Sequence, residues 1–222
     1  MESMGLSERP PRLVDAVYQR IRAEIIGGNL APGDPLSVPE LARQLTVSRG
    51  SVREAVLQLV AEGLAEERPR RGVVVARIGR DEIRQIHEIR EALEGQAAHL
   101  AALSASPGLC DQLDAVLREQ KSSITSVDPT GYADTDAHFH ALLAAACGNP
   151  MLGSLIERLH TQMQIALDRV AEEADHRCAA HDELRAVAAA VRSGDGHAAE
   201  TAMRVHIRRT RNKLNSSSKD GQ

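Results

Sequence analysis

Two side chains that can bind a metal ion stand four residues apart in the second half of this sequence. On a helix, Asp136 and His140 would face the same side and could share one cation. His206 lies on the apolar stripe of a later predicted helix, and His181 lies about 60° from the centre of another such stripe. One carboxylate with two or three imidazoles suits a divalent ion such as zinc or nickel. The spacing therefore predicts a metal site of Asp136, His140 and His206, with His181 as a peripheral candidate.

A single arginine interrupts another apolar stripe, in a helix predicted over Asp81–Ala102. Arg90 shares that stripe with isoleucine, leucine and alanine side chains. A buried charge is costly unless it is paired or has a function. Two interpretations stay open: an ion pair with a carboxylate, for example from another helix, and a clamp for an anionic ligand, which suits the guanidinium fork.

A second group of side chains suits contact with nucleic acid. Arg49 and Arg53 are i, i+4 neighbours in the opening turns of a short predicted helix, beside its apolar stripe. Ser48 and Ser51 supply hydroxyls where that helix begins, and the free backbone N–H groups there also bind phosphate. Taken alone, either arginine would be interpreted as part of a solvated surface. The surrounding elements favour DNA binding instead.

A basic turn follows between two short segments, Leu64–Glu67 and Val73–Ala76, the second of which has strand propensity. Arg70 and Arg71 stand at the tip, where they could reach the DNA backbone or the minor groove, and Gly72 permits the turn. The predicted DNA-binding residues are therefore Ser48, Arg49, Ser51, Arg53, Arg70, Arg71 and Gly72.

Hydrophobic periodicity positions these residues in three helices and a hairpin. The first helix is predicted over Leu13–Ile26, and Ser37–Glu40 has the pattern of a capping box that opens the second. A tight connection, Thr46–Ser48, precedes the third helix, which closes at Gly63. Two helices joined so closely, followed by a hairpin, predict a winged helix-turn-helix over residues 1–79.

The remainder of the chain predicts a mainly α fold, with an all-helical bundle over residues 80–214 and a disordered tail over 215–222. Its amphipathic segments have few aromatic residues, and their apolar residues are mainly alanine, leucine and valine. This composition suits closely packed helices around a small-molecule site. The predicted helices are Asp81–Ala102, Leu109–Ser123, about Thr130–Ala146, from Asn149–Pro150 to about Glu173, Ala174–Arg192, and one capped by Asp195 that ends at Leu214.

Composition excludes several classes of protein. The 222 residues carry a net charge of −4, and aromatic residues make up 1%, which disfavours stacking platforms for single-stranded nucleic acid. No apolar run is long enough for a membrane span or a secretory signal, so a cytoplasmic protein with no membrane partner and reduced cysteines is expected. A nucleophile motif, a Gly-rich phosphate loop and a Cys-x-x-Cys pair are all missing, so no enzyme activity is predicted.

The first part of the chain resembles the DNA-binding head of GntR-family bacterial transcription regulators. The resemblance rests on IRAEIIGGNLAPGDPLSVPELARQLTVSRGSVREAVLQLVAEGLAEERPRRGVVVA, with its VSR-x-x-VREA core, its EGL and its RRG turn. It implies that Ser48, Arg49, Ser51, Arg53 and the pair Arg71–Gly72 contact DNA. Two departures stand out. Val38–Pro39 replaces a frequent Glu-Arg, and Gly50 replaces a usual Thr or Pro, which implies a different operator preference.

The second part resembles the FadR-type effector domain of the same family, over roughly residues 81–210. The segments are IHEIREALEGQAAHLAA, DAHFHALLAAACGNPML and AVRSGDGHAAETAMRVHI. Many members hold a metal with one Asp and three His, which helps to bind a small carboxylate. The resemblance assigns Asp136, His140 and His206 to three of these ligands, whereas the remaining position falls on Leu184. His181, one turn earlier, is a substitute, and a metal-free pocket built on Arg90 and the histidines is the alternative.

Together the two parts predict a ligand-responsive transcription regulator that binds a palindromic operator as a homodimer. The resemblance implies a repressor whose repression is relieved by the ligand, whereas the sequence leaves the sign of the ligand effect open. The expected effector is a small organic acid bound near Arg90, Asp136, His140 and His206. One alternative is a metal sensor in which the ion itself is the signal. Another is a metal-dependent hydrolase, although such an enzyme would have no use for the basic turn.

Overall fold

The computed structural model describes residues 13–166 and 174–216. It is mainly helical, and the chain divides into two compact units with the main boundary between Ile78 and Gly79, one residue from the predicted boundary. The predicted fold class, a winged helix-turn-helix followed by a helical domain, is confirmed. Within the described ranges no helix has an apolar stretch long enough to cross a membrane.

The first unit contains three helices and a two-stranded antiparallel sheet. The elements are α1 (Leu13–Ile26), α2 (Val38–Leu45), α3 (Arg49–Ala61), β1 (Ala65–Arg68) and β2 (Gly72–Val75). The strands pair from Ala65↔Val75 to Arg68↔Gly72, so three residues form the hairpin turn. The core is aliphatic, with Ile21, Val52 and Leu59 each at most 1% exposed.

Helix α2 begins at Val38, with Pro39 in its first turn. The capping-box prediction was wrong. Ser37 occupies the N-cap position, but its side chain makes no capping hydrogen bond. Glu40 instead accepts hydrogen bonds from Arg43 and Gln44 on its own helix. Pro39 lacks an N–H, so part of the need for a cap is already removed.

The second unit consists of helices that pack around a large aliphatic core, with a smaller apolar cluster that includes Leu152 and Ile156. They are α4 (Arg80–Leu103), α5 (Pro107–Thr125), α6 (Pro129–Ala146), α7 (Pro150–Ala166), α8 (Ala174–Ser193) and α9 (Gly196–Ser216). Leu113, Phe139, Leu184 and Met203 come from four of these helices, and each is at most 1% exposed. The core therefore draws on α5, α6, α8 and α9 together.

Where the described residues allow a comparison, the predicted helix boundaries of this unit differ from the structure by at most two residues. Helix α9 runs to Ser216, two residues beyond the predicted end at Leu214. The last helical turn therefore takes up the start of the segment predicted to be disordered, and residues 217–222 lie outside the described part of the chain. Helix α7 is described as far as Ala166, so the predicted extension of that helix to Glu173 also lies outside the described residues.

Candidate DNA-binding surface and donor cluster

Helix α3 presents an arginine face opposite its buried face. Ser48 is the N-cap, and its Oγ accepts the backbone N–H of Ser51 over 3.1 Å. Val52 is fully buried, whereas Arg49 and Arg53 are exposed. In the described part of the chain neither arginine forms an ion pair, so both guanidinium groups are available to a polyanion. The structure thus brings the four predicted residues of α3 to one exposed end of the helix.

The hairpin forms a wing with a basic tip. Arg70 and Arg71 are exposed, and the chain turns through left-handed conformations at Arg70 (φ 63°) and Gly72 (φ 72°). Glycine adopts such a φ at no steric cost, whereas arginine does not. The predicted wing residues therefore lie together on a turn whose conformation places positive charge in solvent.

A basic cavity of about 310 Å³ at the base of the wing was missed by sequence reasoning. Arg68, Arg71 and Arg77 line it together with Glu66, which pairs with Arg68 over 2.8 Å. Gly33 makes room for Arg77, because a Cβ at that position would lie 2.5 Å from a guanidinium nitrogen. The sequence signal that could have indicated this cavity was a Pro-Gly-Asp loop, which precedes a strand that ends in basic residues.

In the helical domain, donor atoms of three predicted ligands converge. Asp136 and His140 of α6 and His206 of α9 each offer a donor atom, and these atoms all lie within 4.8 Å of one another. His140 Nε2 lies 3.8 Å from Asp136 Oδ2, and the His140 and His206 rings have centroids 5.3 Å apart. His140 and His206 are buried, while Asp136 is partly exposed.

Two glutamates that sequence reasoning missed lie behind the histidines. His140 Nδ1 contacts Glu94 of α4, and His206 Nδ1 lies 3.3 Å from Glu183 Oε2 of α8. A carboxylate on Nδ1 orients an imidazole so that Nε2 becomes the ligand nitrogen. His140 Nε2 is fully buried and has no hydrogen-bond partner within the described ranges. In the donor cluster, defined as Asp136, His140 and His206, a carboxylate therefore lies beside the Nδ1 of each imidazole.

The carboxylates behind the cluster are held in their charged form. Burial would raise the pKa of Glu94, but Arg90 together with His140 and His160 holds it well below its ordinary value. Burial opposes a similar shift at Glu183, where the hydrogen bonds from His206 and Arg209 lower the pKa. Both glutamates therefore remain acceptors at neutral pH.

His181 does not join the donor cluster. Its Nδ1 lies 2.9 Å from Gln120 Oε1, and Gln120 Nε2 donates to Asp136 Oδ1 over 3.5 Å, so one side chain separates His181 from the cluster. Burial, followed by the charge of Lys121, lowers the pKa of His181 and keeps the ring neutral. Leu184, at the position the resemblance assigned to a ligand, is fully buried in the apolar core.

Arg90 forms a buried ion pair, one of the two interpretations that the sequence left open. Its Nε donates to Glu94 Oε1 over 2.6 Å, and a terminal nitrogen lies 3.2 Å from His160 Nε2. Glu94 is one turn along the same helix, not on another helix as suggested above. His160 of α7 also lies 3.0 Å from Glu94 Oε1. A role of Arg90 in effector binding stays a prediction.

A buried histidine near this group has no comparable partner. His87, one turn before Arg90, is 1% exposed, and neither ring nitrogen has a hydrogen-bond partner within the described ranges. Burial, followed by the charge of Arg90, lowers the pKa of His87 to about 3. The ring is therefore neutral at physiological pH.

Comparison with known proteins assigns both units. The family described as bacterial regulatory proteins, gntR family, matches residues 13–75, and the FCD domain matches residues 85–209. The transcriptional repressor RspR of Escherichia coli K12 is 32% identical over 195 residues, which cover 86% of this chain and 84% of RspR. The HTH-type regulator YdfH of Escherichia coli O6:H1 is 32% identical over 206 residues, 91% of this chain and 88% of YdfH.

Solved structures share the fold. McbR/YncC of Escherichia coli superimposes with a TM-score of 0.78 at 22% identity, covering 93% of this chain and 98% of McbR/YncC. A GntR regulator from Rhodococcus sp. RHA1 gives a TM-score of 0.72 at 21% identity, covering 91% of this chain and 97% of the Rhodococcus chain. RspR and YdfH, at 32% identity, are named as transcription regulators and not as enzymes, which excludes the hydrolase alternative. The chain belongs to the GntR family of bacterial transcription regulators, with a winged helix-turn-helix head and an FCD, or FadR C-terminal-like, domain.

Proposed function

We propose that this regulator is a repressor that binds a palindromic operator as a homodimer and loses or gains DNA affinity when a small organic acid binds its helical domain. The donor cluster is the observation that supports effector binding by the helical domain. Three potential ligands from α6 and α9 lie within 4.8 Å, each histidine backed by a glutamate. Arg49 and Arg53, which are exposed and form no ion pair within the described ranges, support the DNA-binding half.

Two copies acting together follow from the size of the reading surface. One helix of 13 residues and one short wing reach few base pairs, so a single head has limited affinity and specificity. Two heads bound to a palindromic site raise both the affinity and the specificity. The repressor role is proposed from the 32% identity to RspR, which is named as a repressor.

The residues fit a divalent metal. Asp136, His140 and His206 supply one oxygen and two nitrogen donors, the set that zinc and nickel accept, and the buried Nε2 of His140 lacks another partner within the described ranges. When bound, the ion would supply a Lewis-acid centre with open positions for a carboxylate. The residues themselves orient the donors: Glu94 holds the ring of His140, and Glu183 holds that of His206.

The location of the cluster suggests how binding is transmitted. Asp136 and His140 belong to α6, His206 to α9, and their supporting glutamates to α4 and α8. A ligand held between these helices would favour one packing of the bundle over another. An equilibrium shifts only by the difference in affinity for the two packings, and the same difference would appear in operator affinity.

The test combines metal content with DNA binding. Elemental analysis after dialysis against zinc or nickel should give about one ion per chain in the wild type and none in Asp136→Ala or His206→Ala. His138→Ala is the matched control, because His138 lies on α6 between the two ligands but is exposed. No metal in the wild type would contradict the metal-assisted site.

DNA binding is then measured by fluorescence anisotropy on fragments recovered by random-site selection with the purified protein. Selection of palindromic sites, and a change in affinity when organic acids are added to the metal-loaded protein, are the expected results. An equal response to acids in His206→Ala would contradict the assignment of the sensing site. A change in affinity caused by the metal alone would favour the metal-sensor alternative.

A further inference from the structure

A second arginine lies in the interior of the helical domain, and it has no carboxylate partner among the described residues. Arg177 of α8 is 6% exposed. In the described part of the chain, its Nε and Nη1 are buried and donate to no hydrogen-bond acceptor, and Arg177 forms no ion pair there. Its guanidinium carbon lies 5.9 Å from the centroid of the Tyr132 ring. Arg90, by contrast, is neutralised by Glu94 over 2.6 Å.

An unpaired buried guanidinium costs free energy, because the charge has lost its water and has gained no counter-charge. The face of Tyr132 offsets part of that cost, since the ring quadrupole attracts a cation. Among the described residues the two buried nitrogens still lack acceptors. A guanidinium with free donors in a dry interior is suited to bind a carboxylate in two-pronged fashion. A bound anion would supply both the acceptors and the counter-charge.

The position of Arg177 relates it to the donor cluster. Tyr132 lies one helical turn before Asp136 on α6, and Arg177 lies one turn before His181 on α8. His181 and Asp136 are joined through Gln120 by hydrogen bonds of 2.9 and 3.5 Å. The Tyr132–Arg177 pair therefore lies one helical turn away from the Asp136–His181 pair. Four residues of helix correspond to about 6 Å along the axis.

We propose that Arg177 binds one acid group of the effector, while the donor cluster of Asp136, His140 and His206 binds the other. The effector class is then a short dicarboxylate or a comparable metabolite with two anionic groups. A monocarboxylate would occupy the donor cluster and leave Arg177 uncompensated. The second contact rests on the proposed function, whereas the anion site at Arg177 does not depend on it.

The first experiment tests Arg177 alone, in metal-free protein with inorganic sulfate as the probe. Thermal unfolding is compared in sulfate and in chloride at equal ionic strength. Sulfate should raise the melting temperature of the wild type and of Asp136→Ala by the same few degrees, and it should not do so in Arg177→Met. Arg185→Met is the matched control, because Arg185 lies on the same helix with its side chain 65% exposed.

In chloride, Arg177→Met should unfold at the same temperature as the wild type or higher, because an apolar side chain of similar length removes the unpaired charge. A lower melting temperature, or failure to fold, would show that Arg177 has a structural partner and would overturn the proposal. Arg177→Lys keeps the charge but loses the fork, so it should fold and lose most of the sulfate effect. An equal response to sulfate in all variants would also overturn it.

The second experiment tests the effector class by calorimetry on zinc-loaded protein. Succinate and glutarate are compared with butyrate, which has a single acid group. The wild type should bind one of the diacids at least about tenfold more tightly than butyrate. Arg177→Met should abolish this preference and Arg185→Met should retain it. Equal binding of diacids and butyrate by the wild type would overturn the two-anion effector.

The hypothesis of the metal site and the hypothesis of the Arg177 anion site can be contradicted independently of each other. If the metal site is wrong, Asp136→Ala leaves acid binding unchanged while the sulfate response still depends on Arg177. If the Arg177 site is wrong, the wild type loads metal through Asp136 and His206 but shows neither a sulfate response nor a preference for diacids.

Discussion

Arg90 and Glu94 are neutralised by each other inside a single helix: Arg90 Nε donates to Glu94 Oε1 over 2.6 Å, with the two residues 8% and 2% exposed. The same carboxylate also meets His140 of α6 and His160 of α7. Glu94 therefore neutralises a buried cation and orients a candidate ligand at once. Its loss should affect both the stability of the domain and its metal site.

The substitution Glu94→Gln should lower the free energy of unfolding by about 3 kcal/mol, because it leaves the Arg90 charge buried and uncompensated. Urea denaturation of metal-free protein measures this. Glu88→Gln is the control, since Glu88 pairs with Arg84 at the surface of the same helix and should change stability by less than about 1 kcal/mol. Similar effects of the two substitutions would show that the buried pair contributes little.

His87 should make the domain sensitive to acid. Its pKa is about 3 in the folded state, where it is buried and faces Arg90, Arg211 and His160 as well as Glu94. Below its ordinary pKa of 6.5 the unfolded state takes up a proton and the folded state does not. Stability from this residue is therefore lost as pH falls from 6.5 towards 3.

Replacing His87 with Leu should remove that dependence. Relative to its effect at pH 8, the substitution should increase the free energy of unfolding by about 2 kcal/mol at pH 5. Urea denaturation at the two pH values gives the difference, and the exposed His138→Leu provides the comparison. A difference of zero between pH 5 and pH 8 would mean that His87 is protonated in the folded state.

Arg53 should contribute directly to operator affinity. Arg53→Ala should weaken binding by about 1–3 kcal/mol if the guanidinium reads a base, with the loss concentrated at one position of each half-site. If it contacts only phosphate, the loss should be similar on all sequences and the salt dependence should fall. Arg20→Ala is the control, because Arg20 lies exposed on α1 and pairs with Glu24. Anisotropy titrations over a range of salt concentrations distinguish these results.

Arg70 should lower the stability of the head while it contributes a positive charge to DNA binding. Its φ of 63° is unfavourable for a residue with a Cβ, so Arg70→Gly should stabilise the head by about 1 kcal/mol while weakening DNA binding. Arg71→Gly removes the same charge without relieving a left-handed conformation, so it should weaken DNA binding without the gain in stability. Thermal unfolding and anisotropy measure the two effects. Destabilisation by Arg70→Gly would show that its side chain holds the wing together.

The sequence by itself determined the head in some detail. Helix periodicity, the Ser48 cap and the short connection before α3 are local features, so they place Arg49 and Arg53 on the exposed side without knowledge of the rest of the fold. The i, i+4 spacing of Asp136 and His140 is local in the same sense. The capping box at Ser37 failed because proline inside the pattern changed the local requirement.

Only the tertiary structure decided which side chains meet across helices. Glu94 and Glu183 lie behind the two histidines, and His181 lies beside Gln120 rather than in the donor cluster. These contacts depend on how far each helix is rotated and shifted against its neighbours, and residue spacing within one helix does not specify that. For the same reason the spacing could show that Arg90 faces inward but not which carboxylate it meets. That Arg177 has no hydrogen-bond acceptor for two of its nitrogens among the described residues is likewise visible only once the helices are packed.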